Sequence, residues 1–258
     1  MKIYIINLDK DRERRAFQEE QMQSLQLEYE IIAATTTQDI GRLYKRHKDD
    51  WQRPLREVEL ACYFSHQKLW KRILEEQKPA LILEDDALIC SELPKILEFC
   101  STLKGVDHIS LESVGRKKLL GKESIPVPID GFKLSPLIID RNGAGGYILY
   151  PSGAKKLLEH EAKNGVALAD AQITSCFTLR SYQLDPACII QMDQCHKYGL
   201  TSPIEVLSNI TGTQKCAIPQ EKFMTFKRKR IVHQIKLALR ELKYIFRAKR
   251  RKVDLKHK

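Results

Sequence analysis

The chain has 258 residues, of which 43% are hydrophobic, enough for one α/β domain with appendages or for two small ones. Its net charge is +11, yet residues 227–258 alone carry 14 Lys and Arg against 2 Asp and Glu, leaving 30 against 31 for the rest. A nearly neutral body excludes a global nucleic-acid-binding surface, and 7 Cys with no C-x-x-C pair argue against a zinc module or a disulfide framework.

In chain order, Lys2 to Leu8 (K-I-Y-I-I-N-L) reads as a buried first strand. Met1 to Leu8 is too short for a signal-peptide core and Asp9 to Arg15 is densely charged; the cysteine usage leads to the expectation of a reducing, cytoplasmic compartment. No stretch approaches the roughly 18 apolar residues of a membrane span. Asp9 to Leu25 predicts a charged turn and a polar helix, Glu28 to Ala34 a strand, and Gln38 to Gln52 a loop with some helix. Pro54 suits the first turn of a helix, where its missing N–H is free. That helix is expected to run to Gln77, with Val58, Cys62, Leu69 and Ile73 on one face.

Ala80 to Leu83 is the next strand, and it ends in three acids, Glu84, Asp85 and Asp86. Residues two apart on a strand share a side, so Glu84 and Asp86 would face each other's charge. Such a pair raises a pKa or recruits a cation, and an oxygen-rich set at a strand end suits Mn²⁺ or Mg²⁺. Ser91 is placed to cap a helix through Leu103. His108 to Leu111 predicts a short strand, and Arg116 to Pro136 an irregular excursion or hairpin. Ile138 to Asp140 and Gly146 to Tyr150 flank the Gly-rich turn Asn142–Gly145. Ser152 is expected to cap Gly153 to Lys163, Ala169 to Leu179 to be helical, and Gln183 to Gln191 to form a late strand before a loop holding His196. Strands alternating with helices predict an α/β fold with a mostly parallel central sheet, in which ligands bind beyond the C-terminal strand ends.

Four segments share an order and spacing: Ile6-Asn7-Leu8-Asp9 with Arg14-Arg15; Glu59-Leu60-Ala61-Cys62-Tyr63-Phe64-Ser65-His66 with Trp70; Ile82-Leu83-Glu84-Asp85-Asp86; and Gly145-Gly146-Tyr147 with Ser152-Gly153-Ala154. The set resembles glycosyltransferase family 25, the lipooligosaccharide (LPS) core glycosyltransferases, over Met1 to about Ser202. The resemblance implies a GT-A-like nucleotide-sugar-binding domain and inverting transfer from a UDP-sugar, often of galactose, to a lipid-linked oligosaccharide acceptor. Within it Asp86 is expected to hold the metal, with Glu84 standing where the fold's D-x-D signature has its first Asp. Glu84 or Asp85 would bind the metal's waters or the donor ribose; the alternative is a solvated acidic turn. Asn7, in the Asn7-Leu8-Asp9 motif, is placed to read a uracil edge and Arg14 to hold the base or a phosphate, or else Asn7 caps a turn and Arg14 is solvated. Ser65 and His66 would line the donor pocket, unless His66 is a core residue. His196 completes the metal shell or is a plain loop histidine.

Inversion needs a general base for the acceptor hydroxyl. Asp170 is the first choice, a lone acid in an apolar context that also fits as a helix cap; Asp140 and Asp193 compete. From Phe226 onward Ile231, Ile235, Ala238, Leu242 and Ile245 recur at helical spacing, with Lys236, Arg240, Lys243 and Arg247 elsewhere on the helix and Lys249 to Lys252 as a charge run. The expected division is 1–220 as catalytic domain and 221–258 as a C-terminal basic amphipathic helix that binds an anionic membrane through Lys227–Lys258. Packing of that helix on the body is the alternative, and no nucleic acid is expected as a partner. The functional expectation is a peripheral enzyme on the inner face of the cytoplasmic membrane, using Mn²⁺ or Mg²⁺ to move a hexose from a UDP-hexose. Its rivals are a UDP-glucose-dependent transferase, a nucleotidyltransferase and a non-catalytic sugar-nucleotide-binding scaffold.

Overall fold

The first strand, β1 (Lys2–Asn7), buries both of its faces: Ile3 and Ile5 enter one hydrophobic cluster, Tyr4 and Ile6 another. The third, β3 (Ala80–Glu84), does the same, with Leu81 and Leu83 on one side and Ala80 and Ile82 on the other. Strands apolar on both faces belong inside a sheet covered by helices on each side. The computed structural model describes residues 1–140, 143–204 and 216–256.

Between these strands run α1 (Arg12–Ser24), β2 (Glu30–Ala33), α2 (Gly41–His47) and α3 (Glu57–Glu76). After β3 come β4 (Ala87–Ile89), α4 (Leu93–Thr102), β5 (His108–Ser110), β6 (Lys118–Gly121), β7 (Ile125–Pro126), β8 (Lys133–Ile139) and β9 (Gly146–Leu149). The chain continues through α5 (Pro151–Asn164), α6 (Ala169–Ser175), β10 (Ser181–Asp185), β11 (Ile189–Gln191), α7 (Phe223–Lys243) and β12 (Ala248–Arg251). The main sheet has the order β12-β6-β8-β10-β5-β9-β3-β1-β2, with β7 beside β8. β1 is parallel to β2 and β3, and β10 to β5, while β9 is antiparallel to both β3 and β5. The protein is therefore mixed α/β with a largely parallel central sheet: β2, β1, β3, β5 and β10 run one way, and β9 is reversed among them. β8, β6 and β12 extend the sheet by antiparallel pairing. β4 and β11 form a separate two-stranded ribbon just past the end of β3.

Helix α3 is the main prop of one face. Leu60, Leu69, Trp70 and Ile73 are buried in the cluster that also contains Tyr4, Ile82 and Leu157. Trp70 is fully buried, so truncating it to Ala costs about 3–5 kcal/mol.

Several local expectations are corrected. α3 begins at Glu57, not near Pro54, because the Glu59 carboxylate accepts from the Arg56 backbone N–H at 2.9 Å and makes Arg56 the N-cap. Ser91 bonds Glu92 rather than capping α4, and Ser152 donates to Asp107 at 2.6 Å while Pro151 already opens α5. The helix from Ala169 stops at Ser175, and the single late strand is two, β10 and β11, with Pro186 between them. The Arg116–Pro136 stretch holds β6, β7 and the start of β8. Most of the Lys249–Lys252 charge run lies in β12, an edge strand on β6, and Arg250 pairs with Glu241 at 2.7 Å. Asn142 lies outside the described residues. Among the described residues no helix is long and apolar enough to cross a membrane.

Candidate functional site

The register of the parallel strands sets the site. Ile6 pairs with Glu84, so the ends of β1 and β3 release Asn7 and the acids side by side. Asn7 is buried, and its amide donates to Asp85 at 2.8 Å and to the Asp11 carbonyl at 3.2 Å. Arg14 reaches the other Asp85 oxygen at 3.1 Å. Both Asn7 N–H groups are thus engaged within the protein, by Asp85 and by the Asp11 carbonyl. Leu8, between them, is half-buried and its carbonyl accepts from Asp11. Three expected site residues, Asn7, Arg14 and Asp85, do converge, but as a bracket that fixes the acidic turn. Burial outweighs both partners and leaves the Asp85 carboxyl above its ordinary value.

Helix α1 completes the bracket with residues that carry no motif. Gln18 is buried and donates to the carbonyls of Asp85 and Ala87 at 3.1 and 2.7 Å. Gln21 donates to the Ala87 carbonyl at 2.9 Å and accepts from the Ile89 N–H. Arg14, Gln18 and Gln21 share one helix face by spacing.

Glu84 and Asp86 meet through Gln191, the last residue of β11. Its amide lies 3.0 Å from Glu84 and 3.3 Å from Asp86. The other Glu84 oxygen faces His66 Nε2 at 3.2 Å. Burial, joined by the Glu84 and Asp85 charges, raises the Asp86 carboxyl to about 7. Glu84 and Gln191 line a cleft of about 340 Å³ together with Cys62, Asp170, Arg116 and Lys197. Asp170 sits in the first turn of α6, where Leu168 is the N-cap, so the helix-cap reading fails. Its carboxylate accepts from the Ala171 N–H at 2.6 Å, and burial, with the Glu84 and Asp140 charges, still lifts it to about 6.

The remaining expected residues fall elsewhere. Ser65 is buried; it donates to the Ala61 carbonyl at 3.0 Å and accepts from the Thr35 N–H at 2.9 Å, tying the loop after β2 to α3 rather than lining a pocket. His66 is wholly buried behind Glu84, its Nδ1 3.0 Å from the Tyr147 hydroxyl. Glu59, the first acid of the α3 motif, is held by Arg53 and Arg56 at about 2 despite its burial. His196 is exposed on the 3₁₀ turn Met192–Tyr198. Among the described residues the groups whose ligand atoms all lie within 4.8 Å of one another are Cys62, His66 and Glu84. The expected triple of Asp86, Glu84 and His196 is not brought together in that way. Of the competing bases, Asp140 pairs with Lys118 at 2.7 Å and Asp193 accepts from Gln194.

Glu112 was missed by the sequence reading. It is buried, neither carboxylate oxygen has a hydrogen-bond partner among the described residues, and burial pushes it up to about 8. A Cβ on Gly143 or Gly145 would lie 2.3 or 2.7 Å from its oxygens, so a side chain at either position would push the Glu112 carboxylate aside, and Gly143 also has a positive φ of 127°. The signal was available: Glu112 follows an apolar strand end as Glu84 follows Leu83.

The acids fit a hard divalent cation. Glu84 and Asp86 offer oxygen ligands at a strand end, and burial, with the Glu84 and Asp85 charges added, raises the Asp86 carboxyl.

Comparison with known proteins gives a consistent set. The family model of glycosyltransferase family 25 (LPS biosynthesis protein) matches residues 1–172. The lipooligosaccharide biosynthesis protein lic2B of Haemophilus influenzae is 22% identical over 247 residues, covering 92% of this chain and 89% of its own length. Procollagen galactosyltransferase 1-A of Xenopus laevis is 28% identical over 174 residues, 62% of this chain but 28% of the relative. Among solved structures, the inositol-1-phosphate CTP transferase from T. maritima aligns over 89% of this chain and 96% of its own at 10% identity, with a TM-score of 0.41.

Proposed function

The chain belongs to glycosyltransferase family 25, and from that premise we propose that it moves a hexose from a UDP-sugar to a lipooligosaccharide acceptor, with inversion. Galactose is the sugar we assign, on the procollagen galactosyltransferase relatives. We read the strand order β2-β1-β3-β9-β5-β10, with β9 reversed, as a GT-A-like domain. The observation that carries the reading is one cleft lined by Glu84 at the end of β3 and by Asp170 at the start of α6.

In this mechanism Asp86 and Glu84 would hold Mn²⁺ or Mg²⁺, which when bound would supply the positive charge that offsets the donor diphosphate and the departing UDP. Arg116 and Lys197 line the same cleft and would supply further positive charge for those phosphates. His66 and Gln191 hold the two Glu84 oxygens in place. Asp170 takes the proton from the acceptor hydroxyl as that oxygen attacks the anomeric carbon. The bond from that carbon to the UDP oxygen breaks on the opposite face, and UDP leaves. Among the described residues the hydrogen bond of the Asp170 carboxylate is to the neighbouring Ala171 N–H, which leaves it able to take a proton. His196 is placed too far toward solvent for us to retain it as a ligand. The acceptor being lipid-linked, we place the enzyme on the cytoplasmic face of the membrane, held by α7.

The test is a panel of UDP-sugars with Mn²⁺, scoring hydrolysis and transfer to a lipooligosaccharide acceptor. UDP-galactose should give transfer, and Asp86→Asn should lower it by about 100-fold or more. Faster use of UDP-glucose would move the donor assignment. No turnover of any UDP-sugar, with binding retained, would leave a sugar-nucleotide-binding scaffold.

A further inference from the structure

We propose that Cys62, His66 and Glu84 form a second, sulfur-containing cation site on the cleft wall, selective for Zn²⁺ over Mg²⁺ or Mn²⁺. Cys62 and His66 are four apart on α3 and project from the same helix face. Their Sγ and ring nitrogen lie with a Glu84 oxygen inside a 4.8 Å span. The His66 Nε2 to Glu84 distance is 3.2 Å. In a tetrahedral zinc site with bonds of about 2.0–2.1 Å, nitrogen and oxygen ligands stand about 3.3 Å apart, so this edge is already at the required length.

The surroundings of His66 are those of a metal ligand. A ligating imidazole is oriented through its other ring nitrogen, and His66 Nδ1 is held 3.0 Å from the Tyr147 hydroxyl. That hydroxyl is itself fixed by the Trp70 indole N–H at 2.8 Å. The two rings are stacked, 5.9 Å between centroids. Cys62 is partly exposed and lines the cleft with Glu84, so an ion can enter from the cleft. A thiolate, an imidazole and a carboxylate suit zinc, whereas Mg²⁺ and Mn²⁺ prefer oxygen ligands alone. Binding releases the thiol proton to solvent and leaves His66 neutral, its ring proton on Nδ1 facing the Tyr147 oxygen.

Glu84 turns one oxygen to His66 and the other to Gln191, so zinc on the first would compete with the Asp86 cation for the charge of one carboxylate and oppose the transferase; only this consequence rests on the proposed function, and the binding does not.

The test uses the intact chain and reads binding. Co²⁺, as a zinc substitute, should give one equivalent of thiolate-to-metal charge-transfer absorption that Zn²⁺ displaces and Cys62→Ser abolishes. In the unsubstituted protein, Zn²⁺ should slow iodoacetamide alkylation of Cys62 at least about tenfold, resolved by peptide mass spectrometry. Cys216, the other partly exposed thiol, is the internal control, since the remaining five are buried. This second measurement stands even if Cys62→Ser fails to fold. Absence of the thiolate band, alkylation of Cys62 unaffected by Zn²⁺, or equal protection by Mg²⁺ would each overturn the assignment.

Discussion

Three carboxyls in or beside the cleft hold their protons to unusually high pH: Asp170 to about 6, Asp86 to about 7 and Glu112 to about 8. Burial is the first cause in each, and neighbouring carboxylates add to it. For Asp170 this has a kinetic consequence. A base is useful only when deprotonated, so kcat should rise with pH along a limb centred near 6 and level off above it. Asp170→Asn should lower kcat by about 100-fold or more, abolish that limb and leave the donor KM unchanged. Normal turnover by that variant would remove Asp170 from the mechanism. For Glu112 the consequence is stability. A carboxyl whose folded value lies above its unfolded value binds more protons when folded, so its share of stability is present at low pH and lost as pH rises. The loss begins above the ordinary carboxylate value near 4.5 and is complete past about 8. The melting temperature should therefore fall between pH 5 and pH 9, and Glu112→Gln should flatten the fall. At pH 9 that variant should melt a few degrees above the unsubstituted protein, at about 3 °C per kcal/mol. Equal melting of the two at pH 9 by calorimetry would contradict the account.

At the scale of the element, α1 governs how the acidic turn is held. Gln18 satisfies two carbonyls of the segment that follows β3, and the Asp85 carbonyl has it as its side-chain donor. Gln18→Ala leaves a buried acceptor without a partner, which costs about 1–3 kcal/mol. Urea unfolding should show a lower midpoint at unchanged slope, and Mn²⁺ affinity should fall with it as the turn loosens. A midpoint that does not move would mean water replaces the glutamine. This helix also marks the limit of what the sequence disclosed. The apolar strands were legible because Lys2–Asn7 and Ala80–Glu84 bury both faces and read as unbroken Ile and Leu runs. The acids were legible because three charges at a strand end have no apolar explanation. Gln18, Gln21 and Gln191 were not, because a glutamine that pins a backbone has the same spacing as a solvated one. Asn7 and Ser65 were legible as special but not in role: each spends its polar atoms on this chain. Helix starts were misplaced where a neighbour took over the cap, Glu59 at α3 and Pro151 at α5.

At the scale of the whole molecule the charge asymmetry acquires a direction. Helix α7 turns Phe226 inward, while Arg240 donates to the carbonyls of Ile138 and Phe177 at 2.7 and 3.0 Å. Ile231, Ile235, Leu239 and Leu242, spaced for one face, remain exposed, Leu242 at 64%. The helix thus contacts the body through one side and presents an apolar stripe flanked by Lys and Arg on the other, which opposes the alternative in which the stripe packs on the body. The proposed attachment would lay this helix in an anionic interface, each cation near the surface adding about 1 kcal/mol. Deleting the tail is a poor test, since β12 pairs with β6 and the Lys256 N–H bonds the Ala187 carbonyl, so truncation would open a sheet edge. The double substitution Leu239→Glu, Leu242→Glu changes only exposed positions. Each buried leucine adds about 1.5–3 kcal/mol to insertion. The double variant should therefore lose at least about tenfold in co-sedimentation with phosphatidylglycerol vesicles, while its melting temperature and its turnover of a soluble acceptor stay the same. Binding of the unsubstituted protein should also weaken as salt rises, since the cationic part of the attraction is screened. Vesicle binding equal in the two proteins would show that the stripe does not enter the interface, and salt-sensitive binding that survives the double substitution would leave the basic residues alone as the attachment.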